Sequence, residues 1–132
     1  MNENFFLEIV SPEKSFLKKD NVTEVVVPAF EGEMGILKDH ISIISFLKPG
    51  IIKVFSKSEE NKYFVEDGIV EFKDNSLSIL TSSIYNISDL DRDKIDQILK
   101  EAEKESSGDD LDDQKRYLID QKIEVLKNLS LN

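Results

Sequence analysis

After Ile87 the spacing of apolar residues changes, and with it the kind of structure the chain can form. Residues 5–85 carry short runs of β-branched and aromatic side chains, broken every few positions by Gly, Pro, Asn, Asp or Ser. Such runs cover 5–10, 22–27, 35–37, 41–47 and 51–56. Residues 63–65 and 69–72 flank Asp67-Gly68, a strong hairpin signal, and 73–76 turns again before Leu77, Ile79 and Thr81 alternate with polar residues. Residues 15–18 make a short edge piece whose lysines discourage further pairing. Consecutive strands with short links favour two packed antiparallel sheets over a parallel α/β fold.

From Ser88 onward the period is helical. Ser88 followed by Asp91 fits an N-cap with an acid in the first turn, and Ile95, Ile98, Leu99 and Ala102 fall on one stripe. Ser106-Ser107-Gly108 closes this helix. Asp109 and Asp110 offer a cap for a second one, over about 111–129, with Leu118, Ile119, Ile123, Val125, Leu126 and Leu129 as its apolar members. The sequence therefore predicts an N-terminal antiparallel β-sandwich, residues 1–86, followed by a C-terminal α-helical hairpin, residues 87–132. Neither helical stripe is wide enough to hold the hairpin together alone, so it is expected to lean on the sandwich or on a partner.

The densest local information lies between Val25 and His40. Val25, Val26 and Val27 read as strand, and Pro28, which has no N–H to donate, is expected to end it. Gly32 and Gly35, around Glu33 and Met34, predict a tight turn into a second short strand. His40 follows, and the apolar run after it ends at Pro49-Gly50, a turn signal.

Charge and motif content exclude more than they propose. With 27 acids against 17 bases the net charge is −10, which argues against nucleic acid and against docking on anionic lipid. Each side of Asn86 carries −5, but the second side has only 46 residues, so the tail is the more charged part and takes most of the shortfall in apolar content, which is 39% overall. The absence of cysteine removes disulfides and thiolate metal sites and favours a reducing setting. No run approaches the roughly 18 apolar residues of a membrane span, and the first four residues are unlike a signal peptide, so no membrane insertion is expected. His40, with Glu31, Glu33 and Asp39 near it, is the obvious catalytic suspect, yet one imidazole is a poor basis for a metal or acid–base site. G-x-S-x-G, the P-loop and G-x-G-x-x-G are absent. Asp109, Asp110, Asp112 and Asp113 lack the spacing of a calcium loop and suit a helix N-terminus. No catalytic residue, metal or cofactor is expected, and the chain reads as a structural or regulatory module. A free-standing β-sandwich that binds a ligand or peptide is the other reading, although the lack of Trp and the three Tyr leave little for an aromatic platform.

Pro28, Gly32, Glu33, Gly35, Ile36, Leu37 and His40, followed by Pro49-Gly50, form a pattern that resembles the epsilon subunit of F-type ATP synthases, called delta in mitochondria. Residues 7–13 (LEIVSPE) are similar to that family's opening strand and 63–72 (YFVEDGIVEF) to a later hairpin, while Asp89-Leu90-Asp91 sits where its helices begin. Ser42 departs from a common proline and Asp67 from a glycine. The resemblance implies a non-catalytic rotor subunit of the central stalk, peripheral on the cytoplasmic face of the cell membrane, which couples rotation of the membrane c-ring to ATP synthesis. It implies contact with the c-ring through Glu31, Glu33 and Gly35, and with the gamma subunit through Ser11 and His40. The hairpin would be regulatory, packed on the sandwich when folded and reaching the alpha/beta head to restrain hydrolysis when extended. Some members bind ATP on the folded hairpin through Ile/Leu-Asp-x-x-Arg-Ala, helped by arginines on the second helix. Here the segment reads Leu90-Asp91-Arg92-Asp93-Lys94-Ile95. Lys94 cannot reproduce a bidentate fork, Ile95 adds bulk, and Arg116 is the sole arginine of the second helix, so no ATP binding is expected.

Overall fold

The computed structural model describes residues 3–12, 14–108 and 111–130, and among them nine strands precede two α-helices. The first strand, β1 (Phe5–Ser11), turns at Pro12 into β2 (Lys14–Ala29), the longest of the nine at 16 residues. The early part of β2 pairs with β1, and its later part pairs with β3 (Gly32–Leu37) on one edge and β5 (Gly50–Ser56) on the other. The edge piece at 15–18 and the run at 22–27 are thus one strand. Lys18, Asp20 and Asn21 look like a break in the sequence, but they are exposed positions of that strand. Register shifts in the β1–β2 ladder bend it, so one strand serves both layers.

One layer holds β1, β8 (Ser76–Leu80), β7 (Gly68–Lys73) and β4 (Ile43–Leu47) in that order. The other holds β3, the later part of β2, β5, β6 (Glu59–Val65) and β9 (Ile84–Asn86). All neighbours are antiparallel except β1 and β8, which run parallel. No short link joins those two, so nothing in their connection forces them to oppose. Alternate residues point inward: Phe5, Leu7 and Ile9 from β1 meet Val25, Val27, Ile52, Val54, Val70 and Phe72, all essentially without solvent contact. Phe5 and Phe72 pack edge to face at 5.6 Å.

Pro28 does not end its strand. It lies opposite Glu33 in the β2–β3 ladder, and the strand runs on to Ala29. A residue's N–H and C=O point to the same side of a strand, and the Pro28 carbonyl accepts from the Lys48 N–H at 3.0 Å, away from β3. Its missing donor therefore takes nothing from the β2–β3 ladder. Ala29 pairs with Gly32, so the turn is Phe30-Glu31, while Glu33, Met34 and Gly35 sit inside β3. Gly32 carries the unusual backbone of this turn, with φ of 131°.

Asp67-Gly68 is not a hairpin either, because β6 and β7 do not pair with each other. The dipeptide is where the chain crosses between layers. Asp67 accepts from the Ser82 N–H at 3.0 Å and the Ser82 hydroxyl at 2.8 Å, and its carbonyl accepts from the Thr81 hydroxyl at 2.8 Å. Thr81 and Ser82 lie on the return crossing from β8 to β9, so the two crossings clasp each other. The two-residue hairpin is Asp74-Asn75, with φ of 52° and 58°, the type I′ geometry.

After β9 a single 3-10 turn, Ile87–Asp89, is capped by Asn86, whose Oδ1 accepts from the Ser88 N–H at 3.0 Å. The first helix, α1 (Arg92–Ser106), is therefore capped three residues later than predicted, by Asp91 accepting from the Lys94 N–H at 2.8 Å. Ile95, Ile98 and Ala102 are its buried stripe, as expected. The second helix, α2 (Asp113–Ser130), is capped by Asp112, which accepts from the Lys115 N–H at 2.7 Å. Asp109 and Asp110, the predicted caps, lie outside the described residues. The hairpin packs on the outer face of β5, β6 and β9, where Phe64, Ile95, Ile98 and Leu126 form a second apolar cluster. Lys122 pairs with Glu66 across the same interface.

The two layers join at a corner. Ala29 pairs with Leu47, flanked by the Phe30 N–H donating to the Phe46 carbonyl at 3.1 Å and by the Lys48–Pro28 bond. Pro28, Pro49 and Gly50 are buried there, and a Cβ on Gly50 would lie 2.6 Å from the Pro28 Cβ. Gly50→Ala should therefore lower stability by about 1–3 kcal/mol, read as a shifted urea midpoint. An unchanged midpoint would mean that the corner is loose.

Candidate partner-binding surfaces

Glu31 sits in the β2–β3 turn, where its carboxylate accepts from the Ser45 hydroxyl at 3.0 Å. Glu33, Gly35 and Leu37 follow at alternate positions of β3 and share its exposed face. A Cβ on Gly35 would approach the Glu24 carboxylate at 3.3 Å, so the bare backbone also makes room for that side chain. The three predicted ring-facing residues thus lie on one hairpin, with Glu31 tied to β4 and Glu33 open to solvent.

His40 and Ser11 lie apart, near opposite ends of the β1 layer. The His40 N–H donates to the Leu37 carbonyl at 3.1 Å, its Nδ1 lies 2.7 Å from the Ile41 carbonyl, and its ring edge rests on Phe72 at 5.9 Å. The turn that carries it is fixed by a reciprocal pair: the Asp39 N–H donates to Asn75 Oδ1 at 2.6 Å, and Asn75 Nδ2 donates to the Asp39 carboxylate at 2.9 Å. Asn75 in turn accepts the Phe6 N–H through its carbonyl, which places this turn near the start of β1. Ser11, half-buried, is at the other end of that strand.

Toward the Ser11 end, one row of the outer face of the layer is apolar. Phe46, Ile69, Leu80 and Val10 stand opposite one another on β4, β7, β8 and β1, a single row crossing all four strands. Ile44, one pair along β4, is 69% exposed, and Phe46 is 59% exposed. Meanwhile Ser45, between them, is buried. A strand that turns Ile and Phe outward and Ser inward is built to be covered on its outer face. Sequence reasoning missed this surface, although the near-continuous apolar run from Ile41 to Leu47, in place of a clean alternation, is the mark of a strand covered on both sides.

On the hairpin, Asp91 is used as the α1 cap and Leu90 packs in the cluster around Phe64. The Lys94 ammonium lies 6.0 Å from the centre of the Tyr85 ring. The groove beside them carries Asp89 and Asp91 against that one cation, a poor seat for a triphosphate. Burial, and then the Glu59 carboxylate, push the Tyr63 phenol above its ordinary value, but this group belongs to the sandwich core. Among the described residues no three His, Cys, Asp or Glu side chains gather to hold a metal ion, and no helix is long and apolar enough to cross a membrane.

The family model for the beta-sandwich domain of the ATP synthase delta/epsilon chain matches residues 4–87. The ATP synthase epsilon chain of Pelagibacter ubique is 71% identical over 130 residues, covering 98% of this chain and all of that protein. The mitochondrial ATP synthase subunit delta of Schizosaccharomyces pombe is 38% identical over 111 residues, covering 83% of this chain and 66% of that one. A chain in the mitochondrial ATP synthase of Euglena gracilis shares the fold, with a TM-score of 0.76 at 24% identity over 98% of this chain and 81% of that chain. With the family model spanning the whole sandwich and a relative aligned from end to end, the chain belongs to the ATP synthase delta/epsilon family.

Proposed function

We propose that the chain sits at the foot of the central stalk on the cytoplasmic face of the membrane, clamped between the gamma subunit and the c-ring and turning with both. The observation that carries this reading is the outward apolar row on β4, β7, β8 and β1, which leaves Phe46, Ile69 and Leu80 exposed side by side with Ile44 next to them. Gamma covers that row, with Ser11 and His40 at its margins. The β2–β3 hairpin, carrying Glu31, Glu33 and Gly35, meets the polar loops of the ring. A close-packed sandwich whose layers are joined at the Ala29–Leu47 corner resists shear, as a part that transmits torque must.

The hairpin is the regulatory part. Docked, it hides Phe64 and Leu126; released, it presents Ile95, Ile98 and Leu126 to the alpha/beta head and restrains hydrolysis. ATP does not bind at Leu90, Asp91 and Lys94, since the acid is committed to the cap and Lys94 offers no planar fork. Residues 1–86 fold as a unit, because every member of the main core cluster comes from the strands.

A chain ending at Asn86 should remain soluble and unfold cooperatively as a β protein; an aggregated or unfolded product would place the boundary elsewhere. The double change Ile44→Ser and Phe46→Ser should leave the melting midpoint of the free subunit nearly unchanged. Its affinity for a catalytic head depleted of this subunit should fall more than about tenfold. Undiminished binding would remove the row from the gamma interface. In membranes, Glu33→Lys should weaken the coupling of ion flow to ATP synthesis without unfolding the subunit; normal coupling in fully assembled enzyme would take Glu33 out of the ring contact.

A further inference from the structure

Between the docked hairpin and the sandwich lies a cleft of about 830 Å³. Its walls are aliphatic, with Pro49 and Ile51 on the sheet side and Ile95, Val125 and Leu129 on the helices. No aromatic ring among the described residues lines it, so a purine would find nothing to stack on. Lys48, Lys53, Lys62 and Arg92 line it against one acid, Glu33. That reverses the balance of a chain with 27 acids and 17 bases.

Two of these bases are placed against their own interest. Lys53 and Lys62 stand directly opposite each other in the β5–β6 ladder, an arrangement that like charges disfavour. Lys62 reaches Glu60 at 3.9 Å on an open surface, a weak pair. Lys53 has no ion-pair partner among the described residues. An anion seated between the two ammonium groups turns their repulsion into attraction.

We propose that this cleft binds a single-chain amphiphile with an anionic head, a fatty-acid carboxylate or an alkyl phosphate. The head lies between Lys53 and Lys62, and the hydrocarbon lies against Ile51, Ile95, Val125 and Leu129. Sheet and helices each supply one wall, so occupancy stabilises the docked hairpin by mass action.

Calorimetric titration of the full chain, below the micelle threshold, tests this with decanoate, decyl phosphate, decyltrimethylammonium and ATP in separate runs. Decanoate and decyl phosphate should each saturate at one per chain and slow amide exchange in α2, while the cationic alkyl should not bind. Replacing the two lysines, Lys53→Gln and Lys62→Gln, should weaken both anions about tenfold and leave the melting transition in place. The proposal is overturned by the absence of saturable anion binding, by equal binding of the cation, or by affinity that the double variant retains. It is overturned equally if ATP saturates the chain while the alkyl anions are silent. Sedimentation with phosphatidylglycerol vesicles separates the free amphiphile from a bilayer surface: the chain should stay in the supernatant. Vesicle binding that needs Lys53 and Lys62, with decanoate inert, would assign the lysines to lipid headgroups and overturn the proposal as stated.

Discussion

The pairing of Ala29 with Leu47 holds the two layers of the sandwich in register. Two backbone bonds flank it, and the Gly50 backbone closes against the Pro28 ring, where no side chain would fit. From this corner β2 runs back toward β1 in one layer and sits between β3 and β5 in the other, so both sheets share one continuous strand. At another point of the sandwich the Asp67 clasp ties the two crossings together. Relative sliding of the layers would have to break both. The physical basis of stiffness is therefore local and identifiable, a few backbone bonds and one close approach, and not a general property of sheets.

The corner also fixes what is left for partners. With the register of β4 set by Leu47, Ile44 and Phe46 have no choice but to face outward, and Ser45 must face in. Ser45 is then satisfied by Glu31, the residue at the tip of the neighbouring hairpin. One of the two acids on that hairpin is therefore spent on internal bonding and the other is left open. The inverted strand and the unequal acids have one origin, the register of β4. Family membership displaces the reading as a free-standing binding module.

Much of this was legible in the sequence, and the failures share a cause. The period-two and helical halves, the Ile95–Ile98–Ala102 stripe and the Asp74-Asn75 turn are local properties, and each stands where it was expected. Pro28, Gly32-x-x-Gly35 and Asp67-Gly68 were misread because their meaning depends on which strand lies alongside. Pro28 is tolerated because its carbonyl side faces Lys48, and Asp67-Gly68 bridges layers because β6 and β7 each pair elsewhere. The later α1 cap is of the same kind: Asn86 takes the Ser88 amide into a 3-10 turn and leaves Asp91 as the first free cap. The outward row on β4, β7, β8 and β1 needed three cross-strand registers, none of which a single chain reading supplies.

The hairpin differs from the sandwich in how it is held. The hairpin meets the sheet along a solvent-open cleft of about 830 Å³, whose lining residues Ile51, Ile95, Val125 and Leu129 also belong to the cluster around Phe64. The lining of such a gap forgoes the dispersion contacts that a closed interface would supply. Attachment therefore rests on the inner side of the cluster, where Phe64, Ile95, Ile98 and Leu126 are buried together, and on the Lys122–Glu66 pair. Such an interface orders two narrow amphipathic helices and leaves part of their apolar surface facing an open cleft. On the proposed regulatory reading, filling the cleft and offering the helices a better-fitting surface are opposing inputs to one equilibrium.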